Sequence, residues 1–149
     1  MPRTTEFPAE AQRFYNAEDP FKSHEGEMSL EECRRYIRDV LSSDFVFTTF
    51  TFDEEILVGD GRGRLAARAY FDDSDRRIIQ LPRWARTKYT ILHEVAHHLV
   101  DHQCDHFAHG PEFVRAVLGL VRSEFGYSRY LLLRVRCLLF RVRVTKRKD

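Results

Sequence analysis

The sequence predicts an α+β fold: N-terminal helices, a small three-stranded antiparallel sheet, then a long helix and further helices to the C-terminus. Three observations predict it. Ser29-Leu30-Glu31-Glu32 is a capping box ahead of an amphipathic stretch, which starts a helix. Between Phe45 and Leu81 the residues become aromatic and β-branched, with turn residues recurring, which suits short strands. From Trp84 to Asp101 neither proline nor glycine interrupts a stripe of Ile91, Leu92, Val95, Ala96, Leu99 and Val100 at helical spacing.

Taken in order, Pro8 to about Asp19 reads as the first helix, with Phe14 and Tyr15 as its core contacts. Lys22 to Met28 is polar and loop-like. The capped helix runs from Leu30 to about Leu41 and turns Cys33, Tyr36, Ile37, Val40 and Leu41 inward. Phe45 to Phe52 predicts a strand, which Ile56-Leu57-Val58 extends or follows. Asp60-Gly61-Arg62-Gly63 is turn chemistry, so Leu65 to Phe71 is the next strand. Asp72-Asp73-Ser74-Asp75 makes a hairpin turn into Arg76 to Leu81, a strand ended by Pro82; it lacks the glycine and distal glutamate of a calcium loop. Trp84 is expected to pack beneath the long helix. Further on, a helix is predicted from Glu112 to about Phe125, burying Phe113, Val114, Val117, Leu118 and Val121, and Leu131 to Phe140 again has helical spacing.

Composition bounds the function classes. The 149 residues are 43% hydrophobic and 32% charged, an ordinary balance for one globular domain with a real core. No apolar run approaches the ~20 residues of a membrane span, and Met1 to Glu6 lacks the apolar core of a signal peptide. Cys33, Cys104 and Cys137 are odd in number and far apart, which argues against a disulfide framework. A cytoplasmic protein is expected, with no membrane partner. Charge is uneven: residues 129–149 hold eight basic side chains and one acidic, a net of +7, against +1 for the whole chain. Such a segment is either a solvated helix face and tail or a surface for nucleic acid.

The chemistry is concentrated in His93-Glu94-Val95-Ala96-His97. Two histidines four apart share one face of a helix and can reach one metal ion, since the helix repeats every ~3.6 residues. Glu94 points roughly 100° away, where a carboxylate reaches a zinc-bound water without ligating the metal. A catalytic Zn2+ takes three protein ligands and leaves its fourth position to water.

The third ligand must come from beyond a turn, because a straight continuation of the helix carries His102 and His106 away from His93. Metzincin spacing requires a glycine and a histidine where this chain has Val100 and Gln103. His109 is the leading candidate: Gly110 permits a sharp bend and Pro111 suits a first helical turn. His106, His102 and Glu112 are the alternatives, and Glu124 is a more distant one. Of the other polar residues, His98 reads as surface or as a neighbour of the ligands. Asp101 either orients His97 or is a plain helix-end charge. Cys104 is a zinc ligand or a small apolar residue, and His24 has no case for function. Tyr127, Tyr130 or an arginine would stabilise an oxyanion.

His93-Glu94-Val95-Ala96-His97 followed by His109-Gly110-Pro111-Glu112-Phe113 resembles the SprT-like zinc metallopeptidases, which pair an HExxH helix with a downstream H-G-x-x-F at the start of the next helix. The likeness extends to small metallohydrolases of bacteria and phages. It covers about Arg76 to Phe125, and the N-terminal helices only loosely. It implies a minimal zincin-like fold, His93, His97 and His109 as zinc ligands, and Glu94 as the base. It further implies that the strand Arg76-Leu81 is an edge on which an extended peptide substrate docks. The chain departs from SprT proteins in lacking a CxxC zinc ribbon and in the shorter gap between His97 and His109. DNA–protein-crosslink proteolysis is therefore not carried over.

Three function classes follow. The first is a zinc metallopeptidase that hydrolyses peptide bonds of a protein substrate. The second is a non-peptidase metallohydrolase using the same water activation. The third is a non-catalytic, zinc-stabilised binding module whose basic C-terminus engages nucleic acid or a partner helix.

Overall fold

Segment 45–52, aromatic and β-branched, is not a strand: residues 45–50 belong to a helix that starts at Asp44. Its start decides the matter: the Ser43 hydroxyl caps the helix by accepting the Val46 N–H at 3.3 Å, and Asp44 sits in the first turn, where a carboxylate meets the positive end of the helix dipole. Val46 and Phe50, four apart, are then buried on one face, and Thr51 ends the turn in the left-handed region at φ 48°. Capping and tertiary burial outweigh a β propensity that is itself largely a measure of packing context.

The computed structural model describes residues 8–22, 28–103 and 109–144. The described elements are α1 (Pro8–Glu18), α2 (Leu30–Leu41), α3 (Asp44–Phe50), β1 (Ile56–Asp60), β2 (Arg68–Phe71), β3 (Arg77–Leu81), α4 (Lys88–Gln103), α5 (Pro111–Phe125) and α6 (Tyr127–Leu139). Short 3₁₀ turns at Asp19–Phe21 and Arg83–Ala85 follow α1 and precede α4. The fold is α+β, as the sequence predicts. The capping box forms in full, with Ser29 Oγ accepting the Glu32 N–H at 3.1 Å and Glu32 Oε1 accepting the Ser29 N–H at 3.3 Å. No described helix is long and apolar enough to cross a membrane.

The sheet is mixed, not antiparallel. Its order is β1-β3-β2, with β3 parallel to β1 (Ile56 beside Arg77) and antiparallel to β2 (Ala69 beside Ile79). The turn expected at Asp60-Gly61-Arg62-Gly63 forms, with the Arg64 N–H bonded to the Gly61 carbonyl at 2.9 Å, but it does not join neighbouring strands, because β1 and β2 both pair with β3, whose end the chain crosses there. The Gly61 N–H bonds the Leu81 carbonyl at 3.2 Å, and a Cβ on Gly61 would lie 2.5 Å from the Pro82 nitrogen. Only glycine allows so close a crossing. The Asp72–Asp75 turn is the hairpin expected: Asp72 Oδ1 accepts the N–H groups of Ser74 and Arg76, both at 2.9 Å. Strand β3 thus lies in the middle with both edges paired. The expectation that Arg76-Leu81 is a free edge for substrate fails, and the edge strand on that side is β2.

The core lies between the sheet and the helices. Ile91, Leu92, Val95, Ala96 and Leu99 of α4 are sealed against Phe113, Val114, Val117, Leu120 and Val121 of α5, Ile79 and Leu81 of β3, and Cys33, Ile37 and Val40 of α2. Burial of such a side chain stabilises the fold by about 1.5–3 kcal/mol each. Helix α6 closes the far side with Leu133 and Cys137. Trp84 is 60% exposed and does not pack beneath α4, because it sits on the 3₁₀ turn ahead of the helix.

One buried cation ties β3 to α4. Arg77, 6% exposed, meets Glu54 through Nε at 3.0 Å and Nη2 at 2.8 Å, while its Nη1 donates to the His98 carbonyl at 3.1 Å and reaches Asp101 at 3.4 Å. His98 Nε2 donates to the Ile78 carbonyl at 2.9 Å, leaving Nδ1 to accept from Arg77 Nη1 at 3.3 Å. His98 is therefore a buried tie between helix and sheet, not a surface residue.

Candidate metal centre

Residues 93 and 97 sit one turn apart on α4, whose apolar faces are held rigidly on both sides. Residue 109 lies at the entry to α5. His109 itself adopts the left-handed conformation, φ 59°, whereas Gly110 is extended and caps α5, with Pro111 in the first turn and Val114 N–H bonded to the Gly110 carbonyl at 3.0 Å. The bend expected at Gly110 is thus made one residue earlier. A non-glycine residue held at positive φ costs about 1–3 kcal/mol unless its surroundings demand it. Here the demand is where the imidazole must point.

The three imidazoles converge. One nitrogen from each of His93, His97 and His109 lies within 4.8 Å of the others, and His93 Nε2 and His109 Nε2 are 3.2 Å apart. Zinc–nitrogen bonds of about 2.0–2.1 Å at tetrahedral angles place donors about 3.4 Å apart. Two of the three donors already stand close to that spacing, and the donor set suits Zn2+. Phe113 explains the spacing of His109-Gly110-Pro111-Glu112-Phe113: one turn into α5, its ring stacks on His97 (centroids 4.2 Å, 23°) and meets His93 and His109 edge-on at 5.0 and 4.9 Å. One aromatic side chain braces all three rings.

The orienting carboxylate is Glu18, at the end of α1. It is completely buried, and its Oε2 accepts from His93 Nδ1 at 2.9 Å and from the Tyr89 hydroxyl. Lys22 stands 3.4 Å from Oε1. Burial alone would raise the Glu18 carboxyl, but the charge and hydrogen bond of His93, with Lys22 and Tyr89, hold it below the usual carboxylate range. Burial likewise works to lower His93, and Glu18 outweighs it and raises the imidazole. A carboxylate on Nδ1 fixes the tautomer that turns Nε2 towards a metal. His97 is pushed well down by burial and then by the neighbouring His93, His109 and His98, so it is neutral and ready to ligate at pH 7.

Glu94 is buried, and burial is the main cause that raises its carboxyl; Glu18 adds to this, while the charge of His93 and the Ala69 backbone N–H of β2 oppose it. It therefore faces the edge strand of the sheet. On the other side of the cluster, Tyr15 of α1 places its hydroxyl 3.2 Å from His109 Nε2.

Other sequence candidates fall elsewhere. Asp101 pairs with Arg77 and not with His97. Glu112 is not part of the metal-binding group found among the described residues. Glu124 lines a separate cavity with Phe21, Lys88, Tyr89 and Arg129. Tyr127 and Tyr130 pack on the Arg122 guanidinium. His24, Cys104, His106 and the side chain of His102 lie outside the described residues. Of the basic C-terminal residues, Arg136 donates to the carbonyls of Asn16 and Ala17, and Arg143 to Glu10, so both are engaged in seating α6 and the following segment on α1.

Sequence reading missed Glu18, and it took Tyr15 only as a core contact. A signal for Glu18 exists: Phe14, Ala17, Glu18 and Phe21 follow the i, i+3, i+4, i+7 pattern of one apolar face. Glu18 also stands at a helix C-terminus, where the dipole disfavours a carboxylate. A charge placed against both rules needs a buried partner. No protein-family model, no curated protein and no solved structure matches the chain.

Proposed function

We propose that the chain is a zinc-dependent metallopeptidase of the SprT-like kind, built on a minimal zincin-like fold and working in the cytoplasm. One observation carries the reading: three imidazoles, two from α4 and one from the turn that enters α5, converge beside a buried glutamate that directly follows the first of them. His93, His97 and His109 would hold the ion. Zinc, when bound, acts as a Lewis acid on the scissile carbonyl and makes water a competent nucleophile near neutral pH.

The chain's own groups do the rest. Glu94 takes a proton from the attacking water and passes it to the leaving amine. Its raised carboxyl brings the base nearer to working pH, where such transfer is most effective. Glu18 keeps His93 in the metal-binding tautomer. An extended peptide is the natural substrate class, because β2 is an edge strand and its Ala69 lies against Glu94.

Metal analysis and peptide cleavage of the wild-type chain beside Glu94→Gln test the reading. A peptide library digested and read by mass spectrometry supplies the cleavage assay. Both proteins should hold about one zinc, and the variant should lose cleavage by at least ~10²-fold. Equal cleavage by the two proteins would sink the peptidase reading. Zinc retention with no hydrolysis in either would favour a zinc-stabilised binding module instead.

A further inference from the structure

Along an antiparallel strand pair, successive residues turn their N–H and carbonyl groups alternately towards the neighbour and away from it. The Asp72 N–H donates to the Arg76 carbonyl at 3.0 Å, so Asp72 faces the β3 side, and Tyr70 and Arg68 follow with it. Ala69 and Phe71 therefore turn their backbone groups to the other edge of β2, which has no strand partner among the described residues. A second contact agrees, because the Ala69 N–H reaches Glu94 and not β3. Phe71, beside Arg77 in the register as Ala69 is beside Ile79, carries its side chain on the same face of the sheet as Ala69. Its ring meets His98 of α4 edge-on at 5.6 Å and its centroid lies 4.8 Å from the Arg77 guanidinium carbon. Even so, Phe71 is 42% exposed.

A peptide paired with that edge has its register set by these two residues. The Ala69 N–H is taken by Glu94, so the Ala69 carbonyl and both backbone groups of Phe71 are what the peptide bonds. The peptide residue opposite Ala69 lies beside the base and flanks the scissile bond. The residue opposite Phe71 is two further on, about 7 Å away and on the same face, where cross-strand side chains stand about 4.5–5.5 Å apart at Cβ. The charge of Arg77 is met by Glu54 at 2.8 Å and Asp101 at 3.4 Å, so what Phe71 presents to that residue is apolar surface. We infer that Phe71 is a specificity-determining residue, which selects an aromatic or large aliphatic side chain two residues from the one flanking the cleaved bond.

The inference rests on the peptidase reading, and the test separates the two. A synthetic peptide library is digested by the wild type, Phe71→Ala, Phe71→Thr and Glu94→Gln, and the cleavage sites are read by mass spectrometry. Two peptides that differ only in Phe or Ala at the selected position then give kcat/KM. The wild type should favour the Phe peptide by at least ~10-fold, the low end of what one contact in an apolar pocket supplies. In Phe71→Ala the ratio should fall to within about twofold. Phe71→Thr, whose β-branching suits a strand, gives the same readout where Phe71→Ala does not fold. A purely structural role for Phe71 would slow both peptides alike and leave the ratio as it was. A wild type without preference at that position, or a ratio unchanged in the variants, overturns the role of Phe71 alone. Equal cleavage by wild type and Glu94→Gln, or none by either, overturns the peptidase reading and the role of Phe71 with it.

Discussion

Glu18→Gln changes one oxygen to an amide nitrogen at a site with no exposure to water. Glu18 Oε2 receives two donors, His93 Nδ1 at 2.9 Å and the Tyr89 hydroxyl, while Oε1 faces Lys22 at 3.4 Å. In the variant one oxygen keeps the two donors without a charge, and the amide nitrogen is turned to an ammonium, donor against donor. Two effects follow. In the metal-free chain, loss of a charge-assisted bond should cost about 2 kcal/mol of stability. In the metal-bound chain, loss of the carboxylate behind His93 should weaken zinc by ~10- to 100-fold, or about 1.4–2.7 kcal/mol.

The pH profile sharpens this prediction. His93 titrates above its ordinary value of 6.5 because Glu18 outweighs the opposing effect of burial. Its protonated form therefore stabilises the metal-free fold fully below about 6.5, and that stabilisation is lost as pH rises through the raised value. Protons compete with zinc for the imidazole over the same range, so wild-type affinity begins to fall above pH ~6.5 as the solution is acidified. In Glu18→Gln the imidazole is less basic, and the fall begins at lower pH. Competition titrations with a chromogenic chelator from pH 8 to 6 should show the two affinities well separated at pH 8 and converging towards pH 6. Parallel curves, or affinities within twofold at pH 8, would refute the claim that Glu18 acts on zinc through His93.

Three stability measurements check the frame that carries the centre. Arg77→Met keeps an apolar stem but removes the buried guanidinium, whose central carbon lies 5.1 and 4.8 Å from the ring centroids of Phe52 and Phe71. Urea unfolding should show a loss of about 2 kcal/mol, below the 3–5 for breaking a fully buried pair because Glu54 and Asp101 are half exposed. Arg76→Met, whose ion pair with Asp72 is 64% exposed on the arginine side, should change stability by less than about 0.5 kcal/mol. Gly119→Ala would place Cβ 2.2 Å from Phe45 Cζ. Overpacking of about 1–3 kcal/mol is offset by at most about 1 kcal/mol of helix propensity, so a net loss of about 1 kcal/mol is expected, recovered when Phe45→Leu is added. A stabilised Gly119→Ala would show that α3 does not press on α5.

What could be read in the sequence follows the range of the interaction that decides each feature. His93, Glu94 and His97 are legible because one helical turn brings them together, and a helix is a local object. The capping box at Ser29 and the Asp72–Asp75 turn are legible for the same reason, since each is closed by hydrogen bonds spanning two to four residues. His109 needed one more element, yet the proline and phenylalanine after it mark its place: Pro111 starts the helix, and Phe113 is the ring on which all three imidazoles rest. Errors begin where a local signal is passed over or a distant segment decides. Segment 45–52 satisfies a strand's composition, but the Ser43 cap, itself a local signal spanning three residues, and the burial of Val46 and Phe50 make residues 44–50 a helix. The strand order depends on Gly61 crossing β3 at Pro82, twenty-one residues further along the chain.

Helix α1 is the extreme case, because its two polar contributions to the centre lie 75 and 94 residues from the histidines they meet. Nothing local to Tyr15 or Glu18 names a metal. What the local pattern does contain is a contradiction: a carboxylate on an apolar helical face, at the helix end whose dipole repels it. Such a placement costs several kcal/mol unless a partner meets it, and in a domain this size the partner must be a donor exposed on an adjoining core helix. Two donors of α4 meet Glu18, the Tyr89 hydroxyl and Nδ1 of His93, and the other ring nitrogen of His93 faces His109. The inward nitrogen of His93 therefore needs an acceptor, and a misplaced glutamate is the acceptor the chain provides. The centre is thus two half-statements, one a ligand pair lacking its support and the other a buried charge lacking its reason, and folding α1 against α4 completes both.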